Sequence, residues 1–385
     1  MVELLSGNHA IAEAVRLCKV DFIAAYPITP QTPIYEKIAE MVSDGRIKGQ
    51  MMRAESEHSA MAACISASLT GVRVFTASSS QGIAFMHEML HFASGNRVSI
   101  VMACVNRVVS APWAFGSDQT DTLSQRDTGW IQLYCEDGQE ALDTVIMAYR
   151  VAETVFLPVM VTIDGFYTSH FIEPVDIPDE KAVDKYLPPK SLPNRFDLKN
   201  PAFIQNVVDS HYYSEFKKRQ FDDTMKAKET IIEADKEFGK LFGRSYGVVE
   251  ADDLEDADVG IVTSGALVSC ARIAKKNLRE KGIKVGLLKI KLFRPFPYDE
   301  VIKHLANLKK VLVIDRNVSC GKGGIFCDEL KGAMYNLEKR PKIYGFIGGL
   351  CGEDLPPETI EKIALYVINE DKAPEKPIWI HGMTF

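Results

Sequence analysis

The chain has 385 residues, 46% of them hydrophobic, and a net charge of −7 spread along its length. That is enough apolar material for two or three domains, while no run approaches the ~18 apolar residues of a membrane span and the spread of negative charge speaks against a nucleic-acid surface. The start, "MVELLSGNHAIAEAVRLCKV", lacks the basic-then-apolar order of a signal peptide, and the eight cysteines form no CxxC pair. A cytoplasmic protein with no zinc knuckle, no ferredoxin-type cluster and no metal site of its own is expected.

Residues 1 to 170 alternate helix-like and strand-like patterns. "SGNHAIAEAVRLCKV" offers Ser6 or Asn8 as an N-cap, followed by Ile11, Ala14, Val15 and Cys18 on one helical face. "FIAAY" is a short apolar strand, and it runs into "YPITPQT", where Pro27 and Pro30 bracket Thr29. "TPIYEKIAEMVSDG" is a helix opened by Pro33 and closed near Gly45. "SEHSAMAACISASLTG" is a helix of small residues suited to close packing. "VRVFTA" as strand, "QGIAFMHEMLHFASGN" as helix, "VSIVMACV" as strand, "DGQEALDTVIMAYRVAETV" as helix and "LPVMVTIDG" as strand complete the series. Continuous apolar strands separated by helices predict a parallel sheet covered on both faces.

Residues 171 to 250 change character. A stretch rich in proline and charge, "EPVDIPDEKAVDKYLPPKSLPNRFDLKNP", reads as a connector. A long amphipathic helix follows, "HYYSEFKKRQFDDTMKAKETIIEADKEFGKLFG", with Phe221, Met225 and Ile232 expected on its packed stripe. From 251 to 385 the α/β pattern restarts: "ADVGIVTSG", "KVGLLKIKLFRPFP", "VLVIDRN" and "KIYGFIGGL" are strands. Between them lie the helices "ALVSCARIAKKNLREKG" and "YDEVIKHLANLKK", the latter capped by Asp299. The expectation is an α/β chain with two parallel-sheet domains, the second smaller.

Three places carry candidate chemistry. "CGKGGIF" puts glycines at 321, 323 and 324 after a strand, but matches neither GxGxxG nor GxxxxGK[ST], so a tight strand-to-helix turn is the simpler reading. Glu55 and Glu57 stand at the mouth of the small-residue helix. Either one complements the helix dipole, or a carboxylate beside apolar surface takes a raised pKa and meets a ligand nitrogen. Arg107 falls where a buried strand ends, facing the crevice that open α/β sheets use for ligands, and its fork suits a carboxylate; a structural ion pair is the alternative. The long polar loop after it contains Trp113, Phe115, Asp118, Asp121 and Arg126, and loops of this length are often functional.

Taken together and in order, YPITPQT, ESEHSA, VNR with a GDxxD-like loop, RDTGW and LFRPFP resemble the 2-oxoacid:ferredoxin oxidoreductases. The match is to the α-subunit of the multi-subunit type, most like pyruvate:ferredoxin oxidoreductase, and covers nearly the whole chain. The resemblance implies a pyrimidine-type thiamine diphosphate domain over residues 1–170, a connector over 171–250 and a transketolase C-terminal-like domain over 251–385. It implies coenzyme A-dependent oxidative decarboxylation of a 2-oxoacid, giving an acyl-CoA, CO2 and two electrons for ferredoxin. By the same resemblance the ESE-motif glutamate bonds the cofactor's aminopyrimidine; Glu57 matches that position and Glu55 is the alternative register. Pro27 and Ile28 border the cofactor, Thr29 and Arg107 contact the substrate carboxylate, and Asp118, Asp121 and Arg126 lie on a loop near the site.

The resemblance also places the diphosphate–Mg2+ site on a β-subunit and the [4Fe-4S] clusters on γ- and δ-type partners, in a dimer of hetero-oligomers. Where relatives read GDHSD, this chain has Gly116-Ser117-Asp118-Gln119-Thr120-Asp121. The missing histidine leaves the substrate open: pyruvate first, then 2-oxoisovalerate, 2-oxoglutarate or oxalate. A scaffold subunit without chemistry, and a thiamine enzyme that uses no ferredoxin, are the competing readings.

Overall fold

The computed structural model describes residues 1–190, 195–199, 201, 203–204 and 207–383. The connector reading therefore falls partly outside the described residues, at 191–194, 200, 202, 205 and 206. In chain order the strands are β1 (Val2–Ser6), β2 (Phe22–Ala25), β3 (Gln50–Arg53), β4 (Val74–Ser78), β5 (Ile100–Asn106), β6 (Ile131–Tyr134), β7 (Val159–Asp164) and β8 (Ile172–Asp176). They continue with β9 (Val249–Asp252), β10 (Val259–Thr263), β11 (Val285–Ile290), β12 (Leu292–Arg294), β13 (Lys310–Asp315), β14 (Lys342–Ile347) and β15 (Ile378–Trp379).

The first sheet has seven strands in the order β12-β6-β7-β5-β4-β2-β3. All pairings are parallel except that of β12 with β6. Its middle strands are buried along their whole length, as expected where helices cover both faces. Several covering helices start where the sequence supplies a cap. Ser6 accepts from His9 N (3.3 Å), Ser56 from Ser59 N (3.2 Å) and Asp137 from Glu140 N (2.8 Å), each worth about 1 kcal/mol. The second sheet has six strands, β15-β14-β13-β10-β11-β9, parallel apart from the edge strand β9. A short antiparallel ribbon pairs β1 with β8.

Several expectations need correction. "KVGLLKIKLFRPFP" is not one strand of the second sheet: β11 lies there, and β12 crosses to pair with β6 of the first. The two sheets are thereby tied by backbone hydrogen bonds. "QGIAFMHEMLHFASGN" forms two helices, Ser80–Phe85 and His87–Gly95. The long helix spans Ser210–Phe242, but Phe221, Met225 and Ile232 are exposed; Ala227, Ile231, Ala234 and Phe238 are buried instead. Small alanines let this helix approach the helix Gly138–Val155. Asp299 lies in the first turn of the helix Tyr298–Leu305 without capping it and pairs with Lys228 (3.1 Å).

The two sheets also meet through a buried ionic network. Lys289 Nζ, on β11, lies 3.0 Å from Glu136 and 2.7 Å from Glu140, both from the first half of the chain, and Lys291 Nζ lies 3.0 Å from Glu140. Both lysines are 3% exposed. Around Glu140 these charges hold the carboxyl down at about 2, although burial alone pushes it up.

Candidate active site

In the first sheet the chain runs outward from β2 to β3 on one side, then crosses back to β4, β5 and β7 on the other. The topological switch point is therefore between β2 and β4, and ligands of open α/β sheets bind at the carboxyl ends of strands there. Three strand exits meet at this place. YPITPQT leaves β2, Ser78-Ser79-Ser80 leaves β4, and Arg107 leaves β5.

The YPITPQT turn is held from below. Asn8 Nδ2 donates to Pro30 O (3.0 Å), and Gln31 accepts from Ile28 N through its side chain and donates to Ile28 O through its backbone (2.9 Å). Pro27 and Ile28 are half-buried and Thr29 is exposed. It is the Thr29 carbonyl, rather than its hydroxyl, that accepts from Arg107 Nη1, at 2.6 Å. Arg107 Nη2 donates to Gln81 Oε1. Arg107 is 4% exposed, its Nε has no partner among the described residues, and the Phe115 ring lies 5.6 Å from the guanidinium. Burial lowers the Arg107 pKa, opposed by the charges of Asp121 and Glu57.

By pattern Glu55 and Glu57 are interchangeable, but the fold separates them. Glu55 is exposed and accepts from Ser59 Oγ at 2.6 Å, which holds its carboxyl below the usual range. Glu57 opens the helix Glu57–Leu69, is 7% exposed, and is pushed up by burial. Its carboxylate faces Gly82, in the helix Ser80–Phe85. A Cβ added at Gly82 would strike both Glu57 Oε1 and Ser78 Oγ. The Ser78 and Ser79 hydroxyls are buried without partners among the described residues. Glu57, Ser78 and Gly82 thus form a cradle, and Gln81 links it directly to Arg107.

Asp118 and Asp121 are buried, at 7% and 1% exposure. Burial raises Asp118, and Asp121 is pushed up to about 7. Asp121 accepts from Ser80 N, Asn106 Nδ2, Arg107 N and Thr122 N at 2.6–3.1 Å. Arg126 is not joined to the cradle: its Nη1 donates to Leu123 O, within its own turn, at 3.1 Å. Sequence reasoning misses Ser78, Gln81 and Gly82; the only signal is that "SSSQG" follows a buried strand.

The glycine turn at 321–324 leads into the helix Ile325–Met334, but the first three amide donors of that helix are already taken. Ile325 N donates to Asn317 Oδ1 (2.8 Å), while Phe326 N and Cys327 N donate to the buried Asp315 carboxylate (2.9 and 3.2 Å). The chain's own carboxylate occupies the place where a phosphate would bind. Among the described residues no group of three or more His, Cys, Asp or Glu side chains could hold a metal ion, and no helix is long and apolar enough to cross a membrane.

Comparison with known proteins points to one family. The family description "Pyruvate flavodoxin/ferredoxin oxidoreductase, thiamine diP-bdg" matches residues 13–236, and "Pyruvate:ferredoxin oxidoreductase core domain II" matches residues 257–360. The chain is 45% identical to a ketoisovalerate oxidoreductase subunit, VorA, of Pyrococcus horikoshii, over 98% of both chains. It is 44% identical to a pyruvate synthase subunit, PorA, of Methanothermobacter thermautotrophicus, over 99% of this chain and 98% of that one. Among solved structures, a 2-oxoglutarate:ferredoxin oxidoreductase from Magnetococcus marinus shares the fold with a TM-score of 0.73 at 22% identity. That alignment covers 96% of this chain and 65% of the other.

Proposed function

This chain belongs to the pyruvate flavodoxin/ferredoxin oxidoreductase family, as an α-type subunit of a 2-oxoacid:ferredoxin oxidoreductase, and on that premise we propose that its switch-point cradle holds the aminopyrimidine end of thiamine diphosphate beside an arginine anchor for a 2-oxoacid carboxylate. The observation that carries this is the pairing of a buried Glu57 with Arg107 across Gln81 and Gly82.

The residues fit the cofactor. Gly82 leaves room where any side chain would collide, Ser78 offers an unused hydroxyl, and Glu57 offers a carboxyl whose raised pKa suits proton sharing with a ring nitrogen. When bound, thiamine diphosphate supplies the carbon nucleophile for the keto group. Glu57 holds the proton at the ring nitrogen, Arg107 orients the substrate carboxylate, and the Phe115 ring shields the guanidinium from water. The carboxylate leaves as CO2 and takes its charge away, so Arg107 acts mainly in the ground state. In the balanced reaction, the 2-oxoacid and coenzyme A become an acyl-CoA, CO2 and one proton, with two electrons passing singly to ferredoxin.

The remainder of the machinery is assigned to partners: a β-subunit with the diphosphate and Mg2+, γ- and δ-type subunits with [4Fe-4S] clusters, and ferredoxin, in a cytoplasmic dimer of hetero-oligomers. An apolar rim supports a site completed by another chain. Tyr26, Phe85, Trp113 and Phe115 are all exposed on loops and helices at the strand exits. Pyruvate is the first candidate substrate and 2-oxoisovalerate the second, in keeping with relatives named for both. A panel of 2-oxoacids assayed with the native complex tests this reading. Failure of Glu57→Gln to weaken thiamine diphosphate binding would refute the cradle.

A further inference from the structure

The two halves of the site stand on different strands, and one buried carboxylate touches both. Asp121 Oδ2 accepts from Ser80 N (2.8 Å) and from Arg107 N (3.1 Å). Its Oδ1 accepts from Asn106 Nδ2 (2.6 Å) and Thr122 N (2.8 Å). Ser80 is the residue that turns the chain out of β4 into the helix of Gln81 and Gly82, and it does so at a φ of 51°. A non-glycine residue in this left-handed region is strained and needs outside support. Asp121 supplies that support from its own short helix, Thr120–Leu123. Among the described residues its charge is met by N–H donors of backbone and amide, without an ion pair to lysine or arginine.

We propose that Asp121 is a positioning residue that locks the cofactor cradle and the carboxylate anchor into one rigid unit, by bridging the exits of β4 and β5 through a single oxygen. The proposal rests on the reading of Gly82 and Arg107 given above. An aspartate suits the task because each oxygen accepts two N–H donors at once. An asparagine offers one oxygen and turns its NH2 toward donors already there. Asp121 is 1% exposed, and hydrogen bonds are stronger in such a dry setting than in water.

The test is a double-mutant cycle in the assembled complex. Asp121→Asn alone is expected to raise KM for pyruvate, or for the best 2-oxoacid of a panel, by about tenfold to a hundredfold, and to weaken thiamine diphosphate binding, followed by circular dichroism. In an Arg107→Ala background the same substitution should leave KM unchanged, because its effect on substrate passes through Arg107, while the loss of cofactor binding persists. Equal KM factors in both backgrounds, or loss of neither affinity in an assembled complex, would overturn the proposal. If Arg107→Ala alone leaves KM unchanged, the anchor reading fails instead, so the two failures are distinct. Should Asp121→Asn not assemble, the wild-type complex decides by hydrogen exchange. Added 2-oxoacid should slow exchange in the segment 79–83 together with that at 106–108, and protection confined to 106–108 overturns the coupling.

Discussion

Replacing Arg107 by alanine tests the centre of the functional reading. The guanidinium has five N–H donors; one goes to the Thr29 carbonyl at 2.6 Å and one to Gln81, and the buried Nε is unpartnered among the described residues. A substrate carboxylate can take one or two of the remaining donors. Hydrogen bonds to charged groups contribute ~1.5–3 kcal/mol each, so losing one or two costs ~1.5–6 kcal/mol, or about tenfold to twenty-thousand-fold in KM. The turnover number should fall by less, because the charge that Arg107 holds departs with CO2. KM follows binding only where substrate dissociation outpaces chemistry, so single-turnover experiments belong beside the steady state. The assay is anaerobic reduction of ferredoxin by the assembled complex across a 2-oxoacid titration, with thiamine diphosphate binding measured separately. Arg107→Lys should recover only part of the loss, since one ammonium cannot serve Thr29, Gln81 and a carboxylate in one plane. A KM within threefold of wild type for Arg107→Ala, about 0.7 kcal/mol, would refute the anchor.

Gly82→Ala should abolish thiamine diphosphate binding without unfolding the chain, because the added methyl meets Glu57 and Ser78 while the backbone there is ordinary helix; calorimetric titration checks it. Glu57→Gln should weaken cofactor binding yet raise the melting temperature of the full chain at neutral pH. The folded pKa of Glu57 lies above its unfolded value, so the wild type loses stability as pH rises from about 4.5 through the folded value, and a neutral isostere escapes that loss. The stabilisation should vanish below about pH 4, where both states carry a neutral carboxyl. Glu140→Gln should destabilise the chain by about 3–5 kcal/mol, because Lys291 and Lys289 would then lose a buried counter-charge; chemical denaturation showing less than about 1 kcal/mol would mean that the network is dispensable.

Buried parallel strands announce themselves in a sequence as unbroken apolar runs, so "VSIVMACV" locates β5 and puts Arg107 at its exit. Strand β6 escapes the same reading because it has four residues with Gln132 among them, and its burial depends on that amide finding Thr122 O at 2.9 Å. The long helix is legible, but its inward face is not. Periodicity weighs large side chains most, whereas this contact is made by Ala227 and Ala234 with Ile231 and Phe238. Glu57 and Glu55 cannot be separated by pattern, because the difference between them is the approach of Gly82, which stands on a different helix. Asp121 is visible in the sequence only as one carboxylate of a polar loop; its four donors come from three separate segments of the chain.

The distribution of unmet polar groups explains why the site residues resist a stability argument. Ser78, Ser79 and the Arg107 Nε are buried without partners among the described residues, around one cradle, and each unsatisfied group costs about 1–3 kcal/mol. A chain selected for stability alone would fill Gly82 and neutralise Glu57. The charged groups between the two sheets are treated differently: Glu136, Glu140, Lys289 and Lys291 are all paired. Single atoms without a hydrogen-bond partner also occur elsewhere among the described residues, at Gln119, Gln132, Glu140 and Arg316, so what sets the switch point apart is that Ser78, Ser79 and the Arg107 Nε gather around one cradle, where a ligand can complete them. This contrast links Glu57→Gln and Glu140→Gln, two losses of one buried carboxylate charge each. The first should stabilise the chain and impair cofactor binding. The second should destabilise the chain, and any effect on binding should follow only from the loosened junction between the sheets.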